Sequence, residues 1–185
     1  MKVYFSEDTL TYDGTQLRSH FAYDTFNVLG DSIVAFIGPC DVKKEHLVDL
    51  EDVHQNQFIY SENMLHFIVE HFNDDLNLMI AKQRLLISLI IQEMNDTVEN
   101  LNVKRQGDDI YDDTLKLSVS IATSSPVSCL IHTGINISSK NTPVPAVGLD
   151  DYKINAHALA TGVLNRYRAE MDSMEKARCK VKSAS

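Results

Sequence analysis

One stretch of the chain collects residues able to do chemistry. Arg105-Gln106-Gly107-Asp108-Asp109-Ile110-Tyr111 leads to Lys116 and then, on a returning segment, to Gly134-Ile135-Asn136-Ile137. Asp109 falls in a turn just before a hairpin. Lys116 sits among small hydroxylated neighbours, Ser118 and Ser120, where an ammonium can hold a carboxylate or phosphate oxygen as a point charge. Gly134 lets a backbone or a ligand approach closely. The competing reading of Lys116 is a lysine facing solvent from a half-exposed sheet. Arg18 and His20 alternate with apolar Leu17 and Phe21, a pattern that suits either a wall of the same cleft or a surface strand.

Other groups carry weaker signals. His66, Glu70 and His71 lie close in sequence, but the His-Glu-x-x-His spacing of zinc peptidases is absent. Asp49-Leu50-Glu51-Asp52-Val53-His54 is a dense acidic run; its oxygen ligands suit Mg²⁺ better than zinc, and a solvated loop explains it as well. No Gly-x-Ser-x-Gly elbow occurs, which argues against an α/β-hydrolase.

The elements that would position these residues follow from periodicity. Ser32 to Ile37 is rich in β-branched residues and reads as a buried strand halted by Gly38-Pro39. Residues 62–72 place Met64, Leu65, Ile68 and Phe72 at helical spacing. Asn73-Asp74-Asp75 then caps a second helix running to about Asn100. Leu115 to Ile121 alternates strictly, turns at Ser124-Ser125-Pro126 and returns as Val127 to Ile137, an antiparallel hairpin. Residues 138–150 form an irregular loop, and Asn155 to Lys180 a closing amphipathic helix. Without a βαβα rhythm the class is α+β: a mostly antiparallel sheet with helices packed on it.

Composition bounds the function. The chain has 185 residues, 44% of them hydrophobic, and a net charge of −9. It is expected to form a single domain over residues 1–185. Such acidity disfavours nucleic acid, which is gripped through Lys and Arg on phosphates. Cys40, Cys129 and Cys179 are too scattered for a disulfide framework or a zinc knuckle, and Cys129 reads as a small buried hydrophobe. No apolar run approaches the roughly 20 residues that span a bilayer. The expected compartment is cytoplasmic, with no membrane partner.

The run GDDIYDDTLKLSVSIATSSPVSCLIHTGINI resembles the centre of the biotin and lipoate protein ligase superfamily. There an Asn-Asp turn precedes a catalytic lysine strand, and a returning strand ends in Gly-Ile-Asn-Val. Asp109 falls on the turn's Asp, Lys116 on the lysine, and Gly134 and Asn136 on the terminal Gly and Asn. The whole chain, with QLRSHFAYDTF, GDSIVAFIGPCDV and MLHFIVEHF, resembles domain-of-unknown-function family 366 more closely still. The resemblance implies a ligase-like fold and ATP-dependent activation of a small carboxylic acid. Lys116 and Asp109 would be catalytic, and Arg18, Arg105, Gly134 and Asn136 would bind ATP, with Mg²⁺ set by Asp109. The sequence departs from the ligases in three ways: no glycine-rich phosphate loop, no Trp, and Asp108 in place of Asn. The alternatives are a non-catalytic module binding a small carboxylate or nucleotide, and a homo-oligomer assembled through its hairpin and helix faces.

Overall fold

Buried residues at consecutive positions, on both parities of the chain, build the centre of the fold. In the computed structural model, which describes residues 1–55, 58–73 and 75–184, β2 (Ser32–Val42) turns Ile33 and Ala35 to one face and Val34 and Phe36 to the other. All four are buried. Strands covered on both faces lose the polar alternation of half-exposed ones, and β3 (Ile59–His71) and β8 (Cys129–Asn136) behave alike. With β1 (Lys2–Phe5) and β7 (Ser118–Ser124) they form a five-stranded sheet in the order β1-β2-β3-β8-β7. Only the β1–β2 pair is parallel.

Two helices lie against one face. α3 (Leu76–Thr97) and α4 (Ala156–Cys179) bury Met79, Ile87, Ile90, Leu159, Val163 and Tyr167 against Ile33, Leu65, Phe67 and Ile131. Each such side chain contributes roughly 2 kcal/mol on leaving water. The Arg166 guanidinium of α4 bonds Glu93 and Asp96 of α3 at the rim. Among the described residues no helix is long and apolar enough to cross a membrane.

α3 begins where the sequence expects. The Asp75 side chain accepts from the Leu78 amide at 2.9 Å, while Asp74 lies outside the described residues. Asp75→Ala is expected to cost about 1 kcal/mol, read as a lower urea midpoint with an unchanged slope; an unmoved midpoint would remove the cap from the account.

Three expectations change. Residues 62–72 are strand, the greater part of β3, and not helix. Met64, Leu65 and Ile68 do recur at helical spacing, but Phe67 between them and Val69 just after are buried too. The middle of a sheet covered on both sides accommodates that pattern, and β3 pairs there with both β2 and β8. β2 does not stop at Gly38-Pro39 but passes through a bulge between Gly38 and Cys40, a device that absorbs an extra residue without ending the ladder. Finally, the alternating run from Leu115 divides. β6 (Leu115–Lys116) joins a small sheet with β4 (Val103–Gln106) and β5 (Asp109–Asp112), and only from Ser118 does the chain enter the large sheet. Leu117 is buried at the junction, and its amide donates to the Ile110 carbonyl.

The second face of the large sheet is covered over β2 and β3 by the N-terminal segment. Tyr12 and Phe21, the latter on α1 (Phe21–Phe26), pack there on Val34, Phe36 and Ile68.

Candidate functional site

Beyond that cover, the same face carries a cavity of about 430 Å³. Its floor comes from the sheet: Met64 of β3, Val119 and Ile121 of β7, His132 and Asn136 of β8. Tyr12 closes one side, and the short helix α2 (Leu50–His54) and the 142–146 loop bound the mouth with the β5–β6 turn.

Lys116 stands at this mouth because its backbone is held on two sides. Its amide donates to the Pro145 carbonyl at 3.0 Å, and its carbonyl accepts from the Val147 amide at 3.1 Å. Asn136 Nδ2 donates to the carbonyls of Lys116 and Val147, each at 3.3 Å. Asn136 therefore fastens the lysine strand to its loop.

The Lys116 Nζ lies 2.7 Å from Asp109 Oδ2, and the other Asp109 oxygen accepts from the Ser118 hydroxyl at 3.1 Å. Burial works against the Lys116 charge, but the Asp109 carboxylate and its hydrogen bond outweigh it and hold the ammonium above its ordinary pKa. An ammonium has three donors, and the Asp109 bond uses one.

The rim is acidic. Asp49, Asp52 and Asp108 line the mouth with Asp109, and Lys116 is the one Lys or Arg among the described lining residues. The Asp52 carboxyl is raised by burial first and by Asp49 next, with Lys116 opposing. The Asp49 side chain is occupied as the cap of α2, accepting from the Glu51 amide at 2.7 Å.

The other site residues expected from the sequence are dispersed. Gly134 lies beneath the floor: a Cβ there would stand 2.4 Å from the Met64 sulfur, so the close approach is made by a side chain of the cavity floor. Arg18 pairs with Asp24 at 2.6 Å and Arg105 with the Gly107 carbonyl at 2.7 Å; neither lines the cavity. The His20 amide donates to Glu70, which also accepts from the Ser128 hydroxyl at 2.7 Å. His71 turns to the helix face, between Asp31 and the Tyr167 hydroxyl. Among the described residues no cluster of three His, Cys, Asp or Glu forms a metal site.

Sequence reasoning missed Tyr12 and His132. The Tyr12 ring stacks on His132 with centroids 3.7 Å apart and planes 9° apart. His132 Nε2 meets His66 Nδ1 at 3.1 Å, and His66 Nε2 meets the Gly38 carbonyl at 3.2 Å. Burial drives the His66 pKa down to about 3, and burial together with the neighbouring His66 holds His132 well below its ordinary value. The available signal was a histidine inside each of two apolar strands, HFIV and LIHT, at positions the register sets two residues out of step.

Residues 1–182 match the family described as a domain of unknown function, DUF366. The chain belongs to the DUF366 family. An uncharacterised protein of Methanocaldococcus jannaschii is 37% identical over 183 residues, 95% of this chain and 82% of that one. A solved protein of unknown function from Pyrococcus horikoshi is also 37% identical, with a TM-score of 0.91 over 100% of this chain and 99% of the other. The biotin protein ligase from Aquifex aeolicus, solved with biotin and ATP, shares the fold at a TM-score of 0.61 and 15% identity, over 94% and 72% of the two chains. A T. acidophilum lipoate protein ligase candidate with bound lipoic acid aligns at 0.55 and 11%, over 91% and 84%. This DUF366 chain thus has the α+β biotin/lipoate ligase-like fold.

Proposed function

We propose that the cavity binds a small carboxylic acid and that the protein activates it with ATP–Mg²⁺ for transfer. The observation carrying this reading is Lys116: a backbone-anchored ammonium with donors to spare, at the mouth of a 430 Å³ cavity floored by Met64, Val119 and Ile121. The acid's carboxylate would take those donors and its apolar body would lie along the sheet. The ligase neighbours bind biotin with ATP, or lipoic acid, both acids with apolar bodies, in the same fold.

The charge of the rim tests the nucleotide. Four carboxylates and a single, already paired lysine repel a free triphosphate, so the donor set fits only its magnesium complex. Asp52 and Asp108, the latter shared with Arg84 at 3.2 Å, are the oxygen ligands that would face it. The nucleotide would supply an adenylyl group with loss of pyrophosphate, so that the acid becomes an acyl-adenylate whose leaving group on transfer is AMP. Lys116 would steady the charge that builds on the carboxylate and phosphate oxygens, while Asp109 keeps the lysine charged and aimed. A second reading, a carboxylate-binding module without chemistry, is favoured by the Lys116–Asp109 bond, which already neutralises the cation the nucleotide would need.

Calorimetry with a panel of carboxylic acids, with and without ATP–Mg²⁺, and pyrophosphate release separate the two. Acid binding with release supports activation; acid binding without release supports the module; no heat with any acid on folded protein removes both. Lys116→Ala is expected to weaken acid binding by about 10- to 100-fold, in line with a charge-assisted hydrogen bond. An unchanged affinity would take the lysine out of the site.

A further inference from the structure

The histidine pair fixes its own protons. A backbone carbonyl only accepts, so the Gly38 oxygen requires the His66 proton on Nε2. A neutral imidazole carries one proton, which leaves His66 Nδ1 an acceptor. Its bond to His132 then places the His132 proton on Nε2. His132 Nδ1 is left with a lone pair and has no hydrogen-bond partner among the described residues. The Tyr12 hydroxyl has none among them either. His132 is 3% exposed and Tyr12 4%, and both line the cavity.

His132 Nδ1 is not among the sealed side-chain atoms of the described residues that lack a hydrogen bond, which are Ser32 Oγ and Arg84 Nη1, so it opens to the cavity and takes its donor from what fills it. Nothing anionic among the described residues pairs with the imidazoles: His66 packs on Phe36 and His132 on Tyr12. That aromatic setting favours a neutral donor over a charged one, whose desolvation no bonded carboxylate among the described residues offsets. The separation is set by the strand. His132 and Asn136, which anchors Lys116, are four residues apart on β8, about 13 Å at a strand's rise.

We propose that Tyr12 and His132 form a subsite for a neutral hydrogen-bond donor, a hydroxyl or amide N–H, at the far end of a ligand. His132 Nδ1 accepts from that donor, and the Tyr12 hydroxyl completes its hydrogen bonding. The assignment of the ligand's other end, a carboxylate on Lys116, rests on the proposed function. The substrate class is then an acid with an apolar middle and a neutral polar tail.

Calorimetry should compare ω-hydroxy acids of about six to ten carbons with the corresponding unsubstituted acids. The wild type is expected to prefer the hydroxy acid by about tenfold. His132→Phe, which keeps a ring for Tyr12 to stack on, should erase the preference. A wild type binding both acids alike overturns the subsite and leaves the carboxylate reading standing. The reverse failure is read by ¹⁵N-histidine NMR with hexanamide, which carries no carboxylate. A shifted His132 Nδ1 resonance when no acid binds supports the subsite and removes the carboxylate reading. A resonance that neither hexanamide nor the hydroxy acids move overturns the subsite. The NMR arm uses the wild type, so it holds even if the variant fails to fold.

Discussion

Lowering the pH from 8 to 5 is expected to destabilise this protein. The source is the buried histidine pair. In the unfolded chain each imidazole takes a proton near pH 6.5, whereas in the fold His66 holds out to about 3 and His132 is displaced in the same direction. A depressed folded pKa leaves stability intact above the unfolded value and lost progressively as pH falls toward the folded one. The window therefore opens near 6.5. One pKa unit corresponds to about 1.4 kcal/mol, so His66 alone removes on the order of 2 kcal/mol by pH 5, with His132 adding to it. Among the described residues no compensating carboxylate is bonded to the pair; its partners are the Gly38 carbonyl and the rings of Tyr12 and Phe36. Urea unfolding at pH 8, 7, 6 and 5 should show midpoints falling below pH 7. The double variant His66→Leu/His132→Leu should flatten that slope even if it is less stable at pH 8. A midpoint unchanged between pH 7 and 5 in the wild type would mean the pair is not buried neutral. Asp31, held low by the hydrogen bond from His71, loses its contribution only below the ordinary carboxylate range, whereas Asp52 and Asp109, raised by burial, work against the histidine slope as pH falls; the double variant isolates the histidine part.

Periodicity was a good guide where one face of an element meets solvent, and misled where both faces are covered. α3 and α4 were legible because their polar sides remain in water, which leaves the apolar stripe visible. β3 was not. Its central residues, Met64 through His71, are all buried, and an apolar run without contrast reads as either helix or strand. The site divides in the same way. Lys116, Asp109 and Asn136 were found because the hairpin motif is local in sequence, and the structure brings these three together. Arg18 was drawn toward the cavity by its alternation with apolar neighbours and Arg105 by its place at the head of the Asp109 motif, and both satisfy nearby partners instead. Tyr12 and His132 come from segments 120 residues apart and meet only through the register of three strands, β2, β3 and β8. The acidic run at 49–52 could not be told from a solvated loop by composition. Its approach to Lys116 depends on where the β2–β3 connection, which contains α2, sets that helix at the cavity mouth.

Gly38→Ala is expected to be among the most damaging single substitutions in the chain, with consequences for binding as well as stability. A Cβ at this position would lie 2.0 Å from the Leu10 carbonyl oxygen and 2.7 Å from its carbon. Both are backbone atoms, so no rotamer change relieves the clash. The strip they belong to is tied to β2 on both sides of Gly38: the Leu10 amide donates to Ile37, the Tyr12 amide to Pro39, and the Asp41 amide to Tyr12. Moving the strip sacrifices these bonds, at about 1 kcal/mol each, and loosens the packing of buried Tyr12. A loss of 3 kcal/mol or more follows, read as a lower urea midpoint. Gly30→Ala is the contrast. Its φ of 92° disfavours a side chain, but nothing among the described residues lies within 4 Å of the added Cβ, so only conformational strain of about 1 kcal/mol applies. A Gly38→Ala protein within 1 kcal/mol of wild type would show that the strip can give way. The functional consequence follows from the same geometry. The Gly38 carbonyl anchors the His66 proton, and the neighbouring strip carries Tyr12 onto His132, so the added methyl disturbs both walls of the subsite at once. Whatever Gly38→Ala protein remains folded at low temperature should therefore discriminate hydroxy from plain acids less well than the wild type, although residue 38 itself lies outside the cavity lining.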